Sequence, residues 1–222
     1  MKAQKTGGWA LIVMLCLVVI YILIILPLGK QYGLNEPGAT LDPAKMLALY
    51  SGSTATVRAL MPFGVLLGIL YLLIALGVKA RMQAKAPNLM RLLIIVASVA
   101  AALRLANSMI GLRGLESMAK APDVSVYRPL LAALNGLSTA AEHAWGWAVL
   151  LIALGALATA LLPRLLGYIL LVCGIVSIIG FMLPSATGTA ATVTLIIVLA
   201  LNVISIIWLA VLLIKKPEPG LA

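Results

Sequence analysis

The stretch AAEHAWGWAVLLIALGALATALLPRLLGYILLVCGIVSIIGFML, residues 140–183, carries only Glu142 and Arg164 as formal charges and breaks once, at Pro163. A bilayer core needs about 20 consecutive apolar residues per helix. The stretch therefore reads as two spans, 140–161 and 165–183. The connection at Leu162–Arg164 is so short that the two must form an antiparallel helical hairpin.

Composition extends that reading to the whole chain. Of 222 residues, 64% are hydrophobic and 10% charged, and the mean hydropathy is +1.17. A soluble domain carries roughly 25% charged residues, because its surface must stay hydrated. Here most of the surface must face lipid. Four more apolar runs, 9–28, 60–78, 92–112 and 193–214, complete six spans. The expected fold is all-α: one six-helix transmembrane bundle, residues 1–222. The first run follows Lys2 and Lys5 as a signal peptide would, but it is too long and no A-x-A site follows, so it reads as a retained anchor.

The net charge of +10 does not point to nucleic acid, because the basic residues form no dense soluble patch. In a membrane protein they encode orientation. With the N-terminus in the cytoplasm, Lys2, Lys5, Lys79, Arg81, Lys85, Arg91, Arg164, Lys215 and Lys216 fall inside. Lys30, Lys45, Arg58, Arg113, Lys120 and Arg128 fall outside, with the acids Glu36, Asp42, Glu116 and Asp123. The expectation is a bacterial plasma membrane protein with both termini cytoplasmic, and KARMQAKAPNLMR (79–91) is its strongest inside marker.

Two outer loops predict short interfacial helices. In LDPAKMLALYSG, Asp42 suits the N-cap, Pro43 the first helical position and Gly52 the stop. In YRPLLAALNGLST, Pro129 starts a helix and Asn135-Gly136 turns the chain. The fourth span then begins near Thr139, and Thr139-x-x-Glu142 is a capping box. The hydroxyl takes the N3 amide and the carboxylate reaches back to the N-cap amide. On this reading Glu142 is structural, and His143 joins Trp145 and Trp147 in an interfacial belt.

A competing reading starts from Arg104, twelve residues into the third span. A charge that deep is expensive and marks a functional site with a partner. Asn107 and Ser108 share its helix face, Glu142 is the acid nearest the hydrocarbon, and Asn202 has a similar depth. Arg104, Asn107, Glu142, His143 and Asn202 together form a candidate polar pocket in the outer half, suited to a lipid or a small anion. Side-chain lean counts against direct contact, since Arg104 leans inward and Glu142 outward, each toward its helix N-terminus. A curled arginine stem or a bridging water would still join them, so direct pairing stays open. Gly64-x-x-x-Gly68 and the pair Gly167 and Gly174 mark close helix packing.

Reactive chemistry is thin. The nearest approach to an intramembrane serine protease is Gly136-Leu137-Ser138-Thr139, with the chain's single histidine on the same segment, a poor place for a base. One histidine excludes bis-histidine haem ligation, and no set of zinc ligands gathers. Cys16 and Cys173 lie in apolar runs and suggest no disulfide framework. No cofactor or metal is expected.

From EHAWGWAVLLIALG through LLPRLLG to the glycine-bearing span that follows, the C-terminal half resembles a bacterial six-span membrane protein family of unknown function. The shared features are a histidine opening span four and the turn Leu162, Pro163, Arg164, Leu166, Gly167. GILYLLIALGV in span two also fits. The resemblance implies an integral membrane protein and no particular activity. The functional readings rank as an accessory partner in a membrane assembly, with other subunits or further copies of itself. Next comes a lipid- or small-molecule-binding protein or transporter, and last an enzyme.

Overall fold

The computed structural model describes residues 2–33, 42–120, 123–180 and 189–215. Among them the chain forms seven helices and no strand: α1 (Lys2–Gln31), α2 (Pro43–Gly52), α3 (Thr54–Met82), α4 (Pro87–Lys120), α5 (Val124–Thr159), α6 (Arg164–Gly180) and α7 (Thr189–Lys215). Four of them, α1, α3, α4 and α5, are long and apolar enough to cross a membrane. The apolar stretches Arg164–Ile179 and Leu199–Lys215 are shorter. The end of the fifth expected span (181–183), Glu36 and the tail from residue 216 lie outside the described residues.

The six longer helices close into a ring in the order α1, α3, α4, α5, α6, α7 and back to α1. Ile74, Val78, Met82, Met90, Leu93, Ile152, Ala156, Leu166 and Leu213 form its fully buried centre. Lipid is as apolar as these side chains, so van der Waals packing must hold such helices together, and small residues permit it. A Cβ added to Gly68 would lie 3.0 Å from the Ala101 carbonyl, and one on Gly64 would strike the Ser108 hydroxyl, so α3 packs backbone-close on α4. A Cβ on Gly167 would lie 2.8 Å from the Leu157 side chain and one on Gly174 2.9 Å from the Leu150 amide nitrogen, so α5 and α6 pack as closely. Among the described residues, the closest approach of two backbones lies where no G-x-x-x-G pattern marks the sequence: Gly7 of α1 faces Gly77 of α3, where a Cβ would sit 2.6 Å from the opposing Cα.

Polar contacts fix the ends. Gln4 is buried and donates to the Leu213 carbonyl at 2.9 Å, tying α1 to α7. Arg81 is 5% exposed and reaches from α3 to the Leu161 carbonyl, 3.2 Å away, just past the C-terminus of α5. A cation suits a helix C-terminus, where carbonyls lack intrahelical partners. These contacts gather the chain's start, the α3–α4 and α5–α6 turns and Lys215 at one end. Lys5, Lys79, Lys85, Arg91 and Arg164 therefore share that end. The α5–α6 connection is the expected hairpin, closed by Ala160 in the left-handed region (φ 54°).

At the opposite end α2 begins as expected. Asp42 caps it by accepting from the Ala44 amide at 2.9 Å, and Pro43 occupies the first position. The second short helix is not separate. Helix α5 runs unbroken from Val124, with Pro129 in its second turn and Asn135-Gly136 in its interior. Its N-cap is Asp123, whose carboxylate takes the Ser125 amide and hydroxyl, both at 2.7 Å. A helical glycine costs about 1 kcal/mol relative to alanine. Packing outweighs that: Tyr127 and Leu131 are buried against Leu47 of α2, and Ala141 is buried ten residues further along the same helix.

Candidate polar site

Running α5 back to Val124 changes what Glu142 is. It stands 18 residues into the helix rather than in its first turn, about 27 Å along the axis. Thr139 and Glu142 therefore form no capping box, because the amides there already have intrahelical partners. The extra turns also carry the carboxylate to the middle of the ring wall, level with Arg104 near the middle of α4.

At that level Arg104 and Glu142 form a direct ion pair through Nη2 and Oε1. Their side chains are 13% and 28% exposed. Opposite lean weighed more while Glu142 was placed at the helix start; with the two residues level, the long arginine stem spans the difference. Ser138, one turn before Glu142, accepts from Arg104 Nη1 at 3.3 Å. On α3, Tyr71 is buried one turn beyond Gly68, on the same level. Arg104 Nε and Asn107 Oδ1 are buried and have no hydrogen-bond partner among the described residues. A Cβ added to Gly68 would lie 3.5 Å from Arg104 Cβ, so the glycine pair and the charged site are one piece of architecture.

The five expected pocket residues divide. Arg104, Asn107 and Glu142 share the α4–α5 level. His143 turns away: its Nε2 accepts from Trp147 Nε1 at 3.1 Å, and Trp147 is 44% exposed on the bundle surface. A 100° step per residue separates it from the face used by Glu142. Asn202 lines a different space, a cavity of about 40 Å³ among α1, α3, α5, α6 and α7, with Leu11, Met14, Ile74, Ile152 and Ser205. Trp145 forms its wall and stacks flat on Tyr71, ring centroids 4.0 Å apart and planes 6° from parallel.

Sequence reasoning missed Ser138 as a partner of Arg104. Had 124–159 been read as one helix, the i, i+4 spacing of Ser138 and Glu142 would have put both on one face. Among the described residues no three His, Cys, Asp or Glu side chains are grouped to hold a metal ion. Comparison with protein-family models, curated proteins and solved structures finds no match.

Proposed function

We propose that the chain is a six-span integral membrane protein of the bacterial plasma membrane, both termini cytoplasmic, acting as a non-catalytic partner in a membrane assembly. The observation that carries this reading is the Arg104–Glu142 pair. A guanidinium inside a bundle needs company, and this one finds a counter-charge within its own chain. The end shared by Lys5, Lys79, Lys85, Arg91 and Arg164 agrees with a cytoplasmic placement. The lipid-facing exteriors of α1 and α4, including Val19, Leu23, Leu92, Ile95 and Val99, offer surface to neighbouring helices. Native mass spectrometry from membranes tests it: a co-purifying subunit or a second copy is expected. A solitary monomer that cross-links to no neighbour would refute it.

A second reading, small-molecule or lipid binding and transport, is favoured by the two unpartnered polar atoms beside the pair and by the adjoining cavity. Under it, Arg104→Leu abolishes retention of a co-purified anionic lipid while the protein stays folded. Unchanged retention would remove Arg104 from any such site.

A further inference from the structure

The polar groups of the bundle are strung along its axis, and an aromatic pair separates them. Both α3 and α5 run from the α2 end toward the basic end. Along α3 the order is Gly68, Tyr71, Ile74; along α5 it is Ser138, Glu142, Trp145, Val149, Ile152. The Arg104–Glu142–Ser138 cluster thus lies on the α2 side of the Tyr71–Trp145 stack, and the cavity on the other. From Glu142 to Ile152 is about 15 Å of helix. The cavity's polar groups are Asn202 and Ser205, the serine hydroxyl donating to the Asn202 carbonyl at 2.9 Å. Nearer the basic end comes buried Gln4.

From this order we infer that the Tyr71–Trp145 stack is the closed gate of a route for water-sized, uncharged polar solutes through the ring. The inference rests on the transport reading. Size sets the solute: a cavity of about 40 Å³ holds roughly three waters, far below the 300 Å³ or more of a typical small-molecule pocket. Charge sets it too. On one side of the gate the guanidinium and carboxylate cancel, and on the other Asn202 and Ser205 are neutral, so no compartment carries a net charge to favour an ion. Both ends of the gate have a reason to hold. Tyr71 is 4% exposed, while Trp145 is placed by the turn that carries Glu142, itself fixed by its pairing with Arg104. Aromatic stacking shifts an equilibrium by only about two- to tenfold, so the pair is closed by contact yet cheap to open. Arg104 is then the positioning residue of the gate as well as the partner of Glu142.

The test is osmotic water flux in proteoliposomes, followed by light scattering. Trp145→Ala should raise the protein-dependent water permeability at least tenfold over the unmodified chain. Tyr71→Ala removes the other ring of the stack and should raise it likewise. Leu93→Ala opens a comparable void in the buried core, away from both the stack and the cavity lining, and should stay within twofold of the unmodified chain. Trp145→Phe, a smaller perturbation of packing, stands in if the alanine variant does not fold and should also raise flux. Equal flux from the stack variants and the unmodified chain overturns the gate, as does a Leu93→Ala leak as large as that of Trp145→Ala. Ligand retention by Arg104→Leu is read separately, so the gate can fail while the Arg104 site stands.

Discussion

Replacing Glu142 by glutamine leaves Arg104 charged, largely buried and without a counter-charge among the side chains that touch it. At an effective dielectric of 20, two unit charges 4 Å apart attract by about 4 kcal/mol. Removing one partner of a buried pair costs about 3–5 kcal/mol, because the survivor stays desolvated. The exposures of 13% and 28% place this pair close to that case, with Glu142 somewhat relieved by water. We expect Glu142→Gln and Arg104→Leu each to lose about 2–4 kcal/mol, and Arg104→Lys to lose less, since an ammonium can hold Glu142 but not fork to Ser138 as well. The double variant Arg104→Leu/Glu142→Leu should recover most of the loss, since an apolar replacement of both charges is often neutral or better. The assay is reversible unfolding by steric trapping in bicelles, read as a double-mutant cycle. Single variants that cost nothing, or losses that simply add in the double variant, would refute a direct pair at this depth.

Other expectations follow from single contacts. Gly136→Ala meets open space inside a helix and should stabilise by up to about 1 kcal/mol, whereas Gly68→Ala presses on the Ala101 backbone and should cost about 1–3 kcal/mol; the same unfolding assay separates them, and destabilisation by Gly136→Ala would restore a turn there. Arg81→Leu should cost about 1.5–3 kcal/mol by stranding the Leu161 carbonyl, measurable as a lower thermal midpoint. The Ser125 hydroxyl, then its backbone amide, hold the exposed Asp123 carboxyl below the usual carboxylate range. A depressed folded pKa stabilises above the unfolded value of about 3.9 and is lost as pH falls through the folded one. Hydrogen exchange in the first turn of α5, corrected for intrinsic rate, should therefore quicken below about pH 4 in the unmodified chain. It should be fast at all pH values in Asp123→Ala.

What this sequence determined alone is whatever depends on local hydropathy and local capping. Its apolar content and long uncharged runs dictate helices that avoid water, Pro163 between two such runs dictates the hairpin, and Asp42-Pro43 dictates the start of α2. The mid-helix guanidinium of Arg104 announces that it needs a partner. Which partner is a matter of register between helices, and that is not local. Asn135-Gly136 reads as a turn by propensity, yet Tyr127 and Leu131 packed on α2 hold the helix through it. That continuity alone moved Glu142 from a cap to the ring wall beside Arg104. The same tertiary geometry sent His143 to the surface with Trp147, placed Asn202 behind the Tyr71–Trp145 stack, and brought Gly7 against Gly77. Each of these depends on how far one helix slides and turns against another. Apolar runs specify that only weakly, because lipid rewards every apolar face alike; close-packed glycines and buried polar partners decide it.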